Sequence, residues 1–160
     1  MARQFTWLAG TLLALALLSA YAIAYPTTSA DRSNERAVKR AVLDYIESQI
    51  QHKPELMARG LDKSLAKRTY WQGKNNQEKI METSHDFMVE LASWYNQQGD
   101  KFSANPRVEI EIFDIDQRVS SVKLTVDDWI DYMHLYQNEH GQWKVLNVLW
   151  QYHDTSKHKS

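Results

Sequence analysis

From residue 33 onward, apolar positions recur every three to four residues. Ala37, Val38, Ala41, Val42, Tyr45, Ile46 and Ile50 form the stripe, with Lys39, Arg40, Asp44 and Glu47 between them. This spacing predicts an amphipathic helix of about five turns. Ser33 suits its start, and Glu35 places an acid where the helix dipole favours one. Pro54 opens a second, short helix with Leu56, Met57 and Leu61 as apolar positions and Gly60 near its end. Lys67–Gln72 reads as a short strand. Asn75 or Asn76 with Glu78 begins a third helical stretch, with Met81, His85, Met88, Ala92 and Tyr95 on one stripe and Phe87, Leu91 and Trp94 on its flank; Gly99 ends it.

Beyond Pro106 the period becomes two. Val108, Ile110 and Ile112 alternate with Arg107, Glu109 and Glu111, and Phe113 and Ile115 follow out of phase, which predicts a bulge. Strand character then runs from about Val119 to Gln137, far beyond the usual length, so this stretch must curve strongly or break near Asp127-Asp128. Asn138-Glu139-His140-Gly141 predicts a hairpin turn and Gln142–Tyr152 the returning strand. Two registers are open. A two-residue turn sets Tyr132 opposite Asn147, whereas a three-residue loop with Gly141 left-handed pairs Asn138 with Gln142 and sets Met133 opposite Asn147. Residues 154–160 are polar and predict a flexible tail. Helices followed by a long meander predict the α+β class, with the helices covering one face of a strongly bent antiparallel sheet.

Upstream of this domain (33–153), residues 1–24 carry Arg3, an apolar run from Leu8 to Leu18 and the small-x-small pattern Ala22-Ile23-Ala24. That is the form of a signal peptide cleaved after Ala24. The uncharged run from Phe5 to Ala24 is also about long enough to span a bilayer, so a retained anchor stays open, and membrane contact is expected only in that case. Residues 25–32 read as a polar leader. The 19 basic and 20 acidic residues give a formal charge of −1, which argues against a nucleic-acid partner. The absence of Cys excludes disulfides, thiolate zinc sites, a cysteine nucleophile and a lipidated-cysteine anchor. Export without disulfides points to a bacterial periplasm, or to secretion.

Ala41-Val42-Leu43-Asp44-Tyr45-Ile46, Trp129-Ile130-Asp131-Tyr132 and Gly141-Gln142-Trp143-Lys144-Val145 together resemble the NTF2-like superfamily, and within it the family described as putative lumazine-binding. The resemblance spans roughly residues 33–152 and rests on structural motifs more than on reactive ones. It implies a conical α+β barrel with N-terminal helices packed into the bent sheet, often dimeric through that sheet. Such families include ligand binders, isomerases, dehydratases, polyketide cyclases and accessory domains. Many relatives have a His-Pro after the second helix; here the chain reads Leu61-Asp62-Lys63 and has no His at that place.

Several residues could carry chemistry inside such a cone. Tyr45 could aim its hydroxyl at a ligand or be a packed core Tyr. An inward-facing Asp131, among Trp129, Met133, Leu135 and Asn147, would suit general acid or base work; alternatively it is exposed or pairs with Lys144 across the hairpin. His134, in mid-strand, is the other candidate base, and His85 reads as a core histidine. Trp71, Trp94, Trp129, Trp143 and Trp150 either line a cavity that stacks on a flat ligand or simply fill the core. No His pair has metal-ligand spacing, and no phosphate loop or nucleophile elbow occurs, so neither metal nor cofactor is expected. The first expectation is an exported small-molecule-binding protein holding an apolar or heteroaromatic ligand against Tyr45, Trp71, Trp129, Asp131, Asn147 and Trp150. The alternatives are an isomerase or dehydratase using Asp131 or His134 as base, and a non-catalytic dimerisation module with a filled cone.

Overall fold

The computed structural model describes residues 29–159. The signal segment and residues 25–28 of the leader lie outside the described residues. Helix α1 runs Ser29–Gln51, starting earlier than Ser33 and taking in the second half of the leader. It buries Val38, Val42, Tyr45 and Ile46. Its end is set by His52, at φ 55°, and by the Lys53 N–H donating to Ser48 O at 3.0 Å, the bond that closes a helix with a left-handed residue just past its end. Helix α2 (Pro54–Gly60) crosses α1 so closely that a Cβ on Gly60 would lie 2.7 Å from Ala41 O. Arg59 locks the crossing through two bonds of 2.6 Å to the buried Asp44 carboxylate.

The remaining elements are β1 (Leu61–Gln72), β2 (Glu78–Thr83), α3 (His85–Trp94), β3 (Val108–Asp116), β4 (Val119–Val126), β5 (Trp129–Gln137), β6 (Trp143–Tyr152) and the short helix η1 (Thr155–Lys157). The strands form one sheet in the order β2-β1-β6-β5-β4-β3. Every pairing is antiparallel except β1 with β6, which is parallel. The core lies between α1 and the concave face, around Val38, Val42, Val122, Leu124, Val126 and Met133.

Three expectations need correcting. Residues 78–83 are strand, not helix: a turn with Gly73 N–H bonded to Gln77 O at 2.9 Å folds them back on β1, pairing Glu78 to Thr83 with Gln72 to Lys67. Six ladder partners outweigh an apolar spacing that Met81 and His85 satisfy equally well in a helix. The third helix starts only after Ser84, whose hydroxyl accepts from Phe87 N–H at 3.2 Å as an N-cap. The preceding strand is also longer than 67–72, starting at Leu61 and losing register with β6 between Leu61 and Ala66. Finally, the stretch from Val119 to Gln137 breaks at Asp127-Asp128 by reversing completely, so β4 and β5 are neighbouring antiparallel strands.

The expected bulge at Phe113 is present, between the pairs Ile112–Val122 and Asp114–Ser121. At the last hairpin, Asn138 N–H bonds Gln142 O at 2.9 Å and Gly141 has φ 75°, the three-residue form. A bulge at Leu146 then adds one residue, setting His134 opposite Asn147 and Met133 opposite Val148. Neither simple register contains that shift, because a bulge depends on how the whole sheet bends. Residues 154–159, read as a flexible tail, are folded against β1. Gln72 N–H donates to His158 O at 2.8 Å, and the buried His158 ring lies 4.4 Å from the Tyr70 ring.

Candidate functional site

Alternation along a strand sends successive side chains to opposite faces. In β5 this turns Trp129, Asp131, Met133 and Leu135 inward and Tyr132 and His134 outward. In β1 it turns Leu65, Lys67 and Thr69 inward. The two strands flank β6, so Lys67 and Asp131 meet beneath Tyr45 of α1. Lys67 Nζ lies 2.8 Å from Asp131 Oδ1 and donates to the Tyr45 hydroxyl at 2.9 Å. The Tyr45 hydroxyl donates to Asp131 Oδ1 at 3.4 Å, and Trp129 Nε1–H donates to Asp131 Oδ2 at 2.8 Å. Asp131 is 0% exposed and Lys67 6%.

A buried pair of this kind holds only if the remaining lone pairs and protons are satisfied. Both carboxylate oxygens of Asp131 are. Burial pulls the Lys67 pKa below the ordinary lysine value, while the Asp131 charge opposes that shift. Burial, and then the Asp131 charge, push the Tyr45 phenol well up, so it stays protonated and remains a donor. Lys67 also sits 4.9 Å from the Trp150 ring centroid and 5.4 Å from that of Tyr45, both within cation–π range.

Beside this cluster is a cavity of about 240 Å³, partly open to solvent and bordered by α1, α3 and strands β1, β2, β5 and β6. Tyr45, Gln49, Lys67 and Thr83 bring polar groups to its wall, as do the hydroxyls of Tyr95 and Tyr152; the rest is mainly aromatic and thioether surface, including Trp71, Trp129, Trp150 and Met81. Burial pushes the Tyr95 hydroxyl up to about 12. His158 braces the outside of this wall: its ring packs against Trp71, Trp150 and Tyr152, its Nε2 accepts from Tyr152 N–H at 2.8 Å, and its Nδ1 lies 3.0 Å from Tyr70 O. With Nε2 accepting, Nδ1 carries the hydrogen and donates to Tyr70 O.

The structure thus brings together four of the sequence candidates on the cavity wall, Tyr45, Trp71, Trp129 and Trp150. Asp131 stands behind that wall and reaches it through Lys67. Asn147 and His134 are elsewhere: they pair across β5 and β6 on the outer face and border a separate groove. The conditional pairing of Asp131 with Lys144 does not form, since Lys144 Nζ donates to Arg59 O at 2.6 Å. Trp143 is buried within the core and Trp94 is exposed on α3. Nor is His85 the satisfied core histidine expected: its Nδ1 pairs with Asp86, but its buried Nε2 has no partner among the described residues. Lys67 is the residue that sequence reasoning misses. Its one signal is its place in the alternation Leu65-Lys67-Thr69-Trp71, which becomes visible only once β1 is known to begin at Leu61. Among the described residues no group of His, Asp and Glu has metal-site geometry, and no helix is long and apolar enough to cross a membrane.

Comparison with known proteins agrees with this architecture. The profile of the family described as Putative lumazine-binding matches residues 33–151, and the chain belongs to that family. Among solved structures, an NTF2-like protein of unknown function from Shewanella baltica OS155 is 17% identical, with a TM-score of 0.59 over 80% of this chain and 98% of that one. Another, from Silicibacter pomeroyi DSS-3, is 11% identical, with a TM-score of 0.57 over 76% and 97% of the two chains. A third, from Methylobacillus flagellatus KT, is 16% identical, with a TM-score of 0.53 over 76% and 93%. These likenesses establish the NTF2-like fold. A search of curated proteins returns no match.

Proposed function

We propose that this protein is an exported binding protein that holds a small, flat, apolar or heteroaromatic molecule in its cone. The observation that carries the reading is the cavity itself: about 240 Å³ of aromatic-walled space with Lys67 and Tyr45 on its lining. Concave, largely apolar sites with a few fixed polar groups are the usual form of small-molecule sites. Stacking on Trp71, Trp150 or Tyr95 would supply affinity. Lys67 would supply orientation, because an ammonium has three N–H donors and Asp131 and Tyr45 engage two of them. The name of the family supports a heteroaromatic occupant. The N-terminal segment with its Ala22-Ile23-Ala24 site supports export of the mature chain to the periplasm or outside the cell. The exposed Phe113, Tyr132 and Leu149 side chains supply apolar surface for a homodimer through the sheet.

Native mass spectrometry of the protein purified from periplasm, followed by identification of any molecule released on denaturation, tests the reading. A stoichiometric aromatic adduct is the expected result. An adduct-free protein whose tryptophan fluorescence responds to no flat aromatic compound would overturn it. The general-base alternative is favoured by one observation, the contact of Asp131 with Tyr45, but it requires protons to pass through Lys67 or Tyr45, since the carboxylate itself is sealed from the cavity.

A further inference from the structure

Lys67 is a primary amine held inside an aromatic cavity, 2.8 Å from a carboxylate and 2.9 Å from a phenol. We infer that Lys67 captures flat, apolar aldehydes and ketones as imines, which makes carbonyl compounds the ligand class of this cavity. The inference rests on the binding reading above, because the carbonyl compound must first enter the same space.

The three groups provide what imine formation requires. The ammonium passes one proton to Asp131 Oδ1, and the freed lone pair attacks the carbonyl carbon. As the C–N bond forms, the carbonyl π pair moves to oxygen, which takes up a proton from the Asp131–Tyr45 pair. The nitrogen then gives up a second proton, which passes through Asp131 and Tyr45 to that hydroxyl, and the lone pair this frees closes the C=N bond as water leaves. The balance is one ammonium and one carbonyl compound giving one protonated imine and one water, with no oxidant or reductant. Because the protonated imine carries the same charge as the ammonium, the ion pair with Asp131 survives the reaction. Trp129 Nε1–H holds Asp131 Oδ2 in place throughout.

Other lysines lack this setting. The side chains of Lys39, Lys63 and Lys101 are 43%, 81% and 42% exposed. On the surface an imine is open to water, whereas Lys67, only 6% exposed and set in an apolar wall, is shielded from it, which limits hydrolysis. Burial also lowers the Lys67 pKa, which raises the share of nucleophilic free amine, as in lysines that form Schiff bases.

The test treats the full mature chain with 2-naphthaldehyde and cyanoborohydride near neutral pH, maps the reduced adducts by peptide mass spectrometry, and measures 2-naphthol binding by tryptophan quenching in parallel. The expected result is a mass increase of one naphthylmethyl group on Lys67, faster than on any surface lysine and suppressed by excess 2-naphthol. The adduct at this position should vanish in Lys67→Arg, which keeps the charge without a condensable amine. If that variant does not fold, the competition on the native protein decides alone. Saturable 2-naphthol binding with adducts on surface lysines only would overturn imine capture and leave the binding reading standing. Neither saturable binding nor a Lys67 adduct would overturn both.

Discussion

The two halves of the cone are built from the same sheet and differ in what fills them. Toward β3 and β4, Val122, Leu124 and Val126 meet Val38 and Val42 of α1, and all are buried. Toward β1, β2 and α3, the inward positions carry Trp71, Trp150, Tyr95 and Tyr152 and leave a cavity. Branched aliphatic side chains interdigitate to the density of an organic crystal. Flat rings braced from behind, as His158 braces Trp150 and Tyr152, hold their positions and do not collapse into the space between them. One half therefore supplies stability. The other carries an open volume and a desolvated ion pair, features that cost stability and that only a ligand or a reaction makes use of.

The largest expected effect strikes where the halves meet. Asp131→Ala leaves Lys67 as an uncompensated buried charge and should cost about 3–5 kcal/mol in urea unfolding, much of it recovered when Lys67→Met is added. A small loss would mean that water already reaches the pair. Next, Leu124→Ala in the closed half should cost about 2–5 kcal/mol, whereas Leu91→Ala on the cavity wall should cost less, because the space beside it is already empty. Equal losses would erase the contrast. His158→Ala removes the acceptor for Tyr152 N–H and the bond to Tyr70 O; about 1–3 kcal/mol is expected, with a change in tryptophan emission from the loosened wall.

Alkaline pH probes the open half in a graded way. Tyr45 and Tyr95 have folded pKa values raised above the unfolded value, so their contribution is complete below about pH 10 and is lost as pH rises through the folded values, which for Tyr95 is about 12. Lys67, with a lowered folded pKa, runs the other way: its burial penalty eases as pH rises toward the unfolded lysine value. Unfolding curves followed together with tyrosinate absorbance should show the buried Tyr45 and half-buried Tyr95 phenols titrating late, and normal titration of both would break the picture of a desolvated wall. The smallest effect belongs to the outer face. His134→Ala and Asn147→Ala should each shift stability by no more than about 0.5 kcal/mol and leave naphthol binding unchanged. Weakened binding in either variant would place the site on the outside of the sheet.

Much of this protein is legible along the chain. The 3.6-residue stripe of α1, the period of two after Pro106, the slip at Phe113 and the Gly141 turn are local patterns, and each arises from backbone geometry within a few residues. They suffice for the α+β class and for the resemblance to the NTF2-like superfamily. Residues 78–83 were ambiguous because a short apolar spacing fits both periods until a partner strand chooses one. The site lies beyond that reach. Period two divides a strand into two faces without saying which is inner, and Asp131 meets Lys67 across 64 residues and Tyr45 across 86. Bulges at Leu146 and between Leu61 and Ala66 set the bend of the sheet. That bend sends Asn147 outward and seats Lys67 inside, so the class of fold is a property of the sequence pattern, while the buried amine and the cavity around it follow from how β1, β5 and β6 pair.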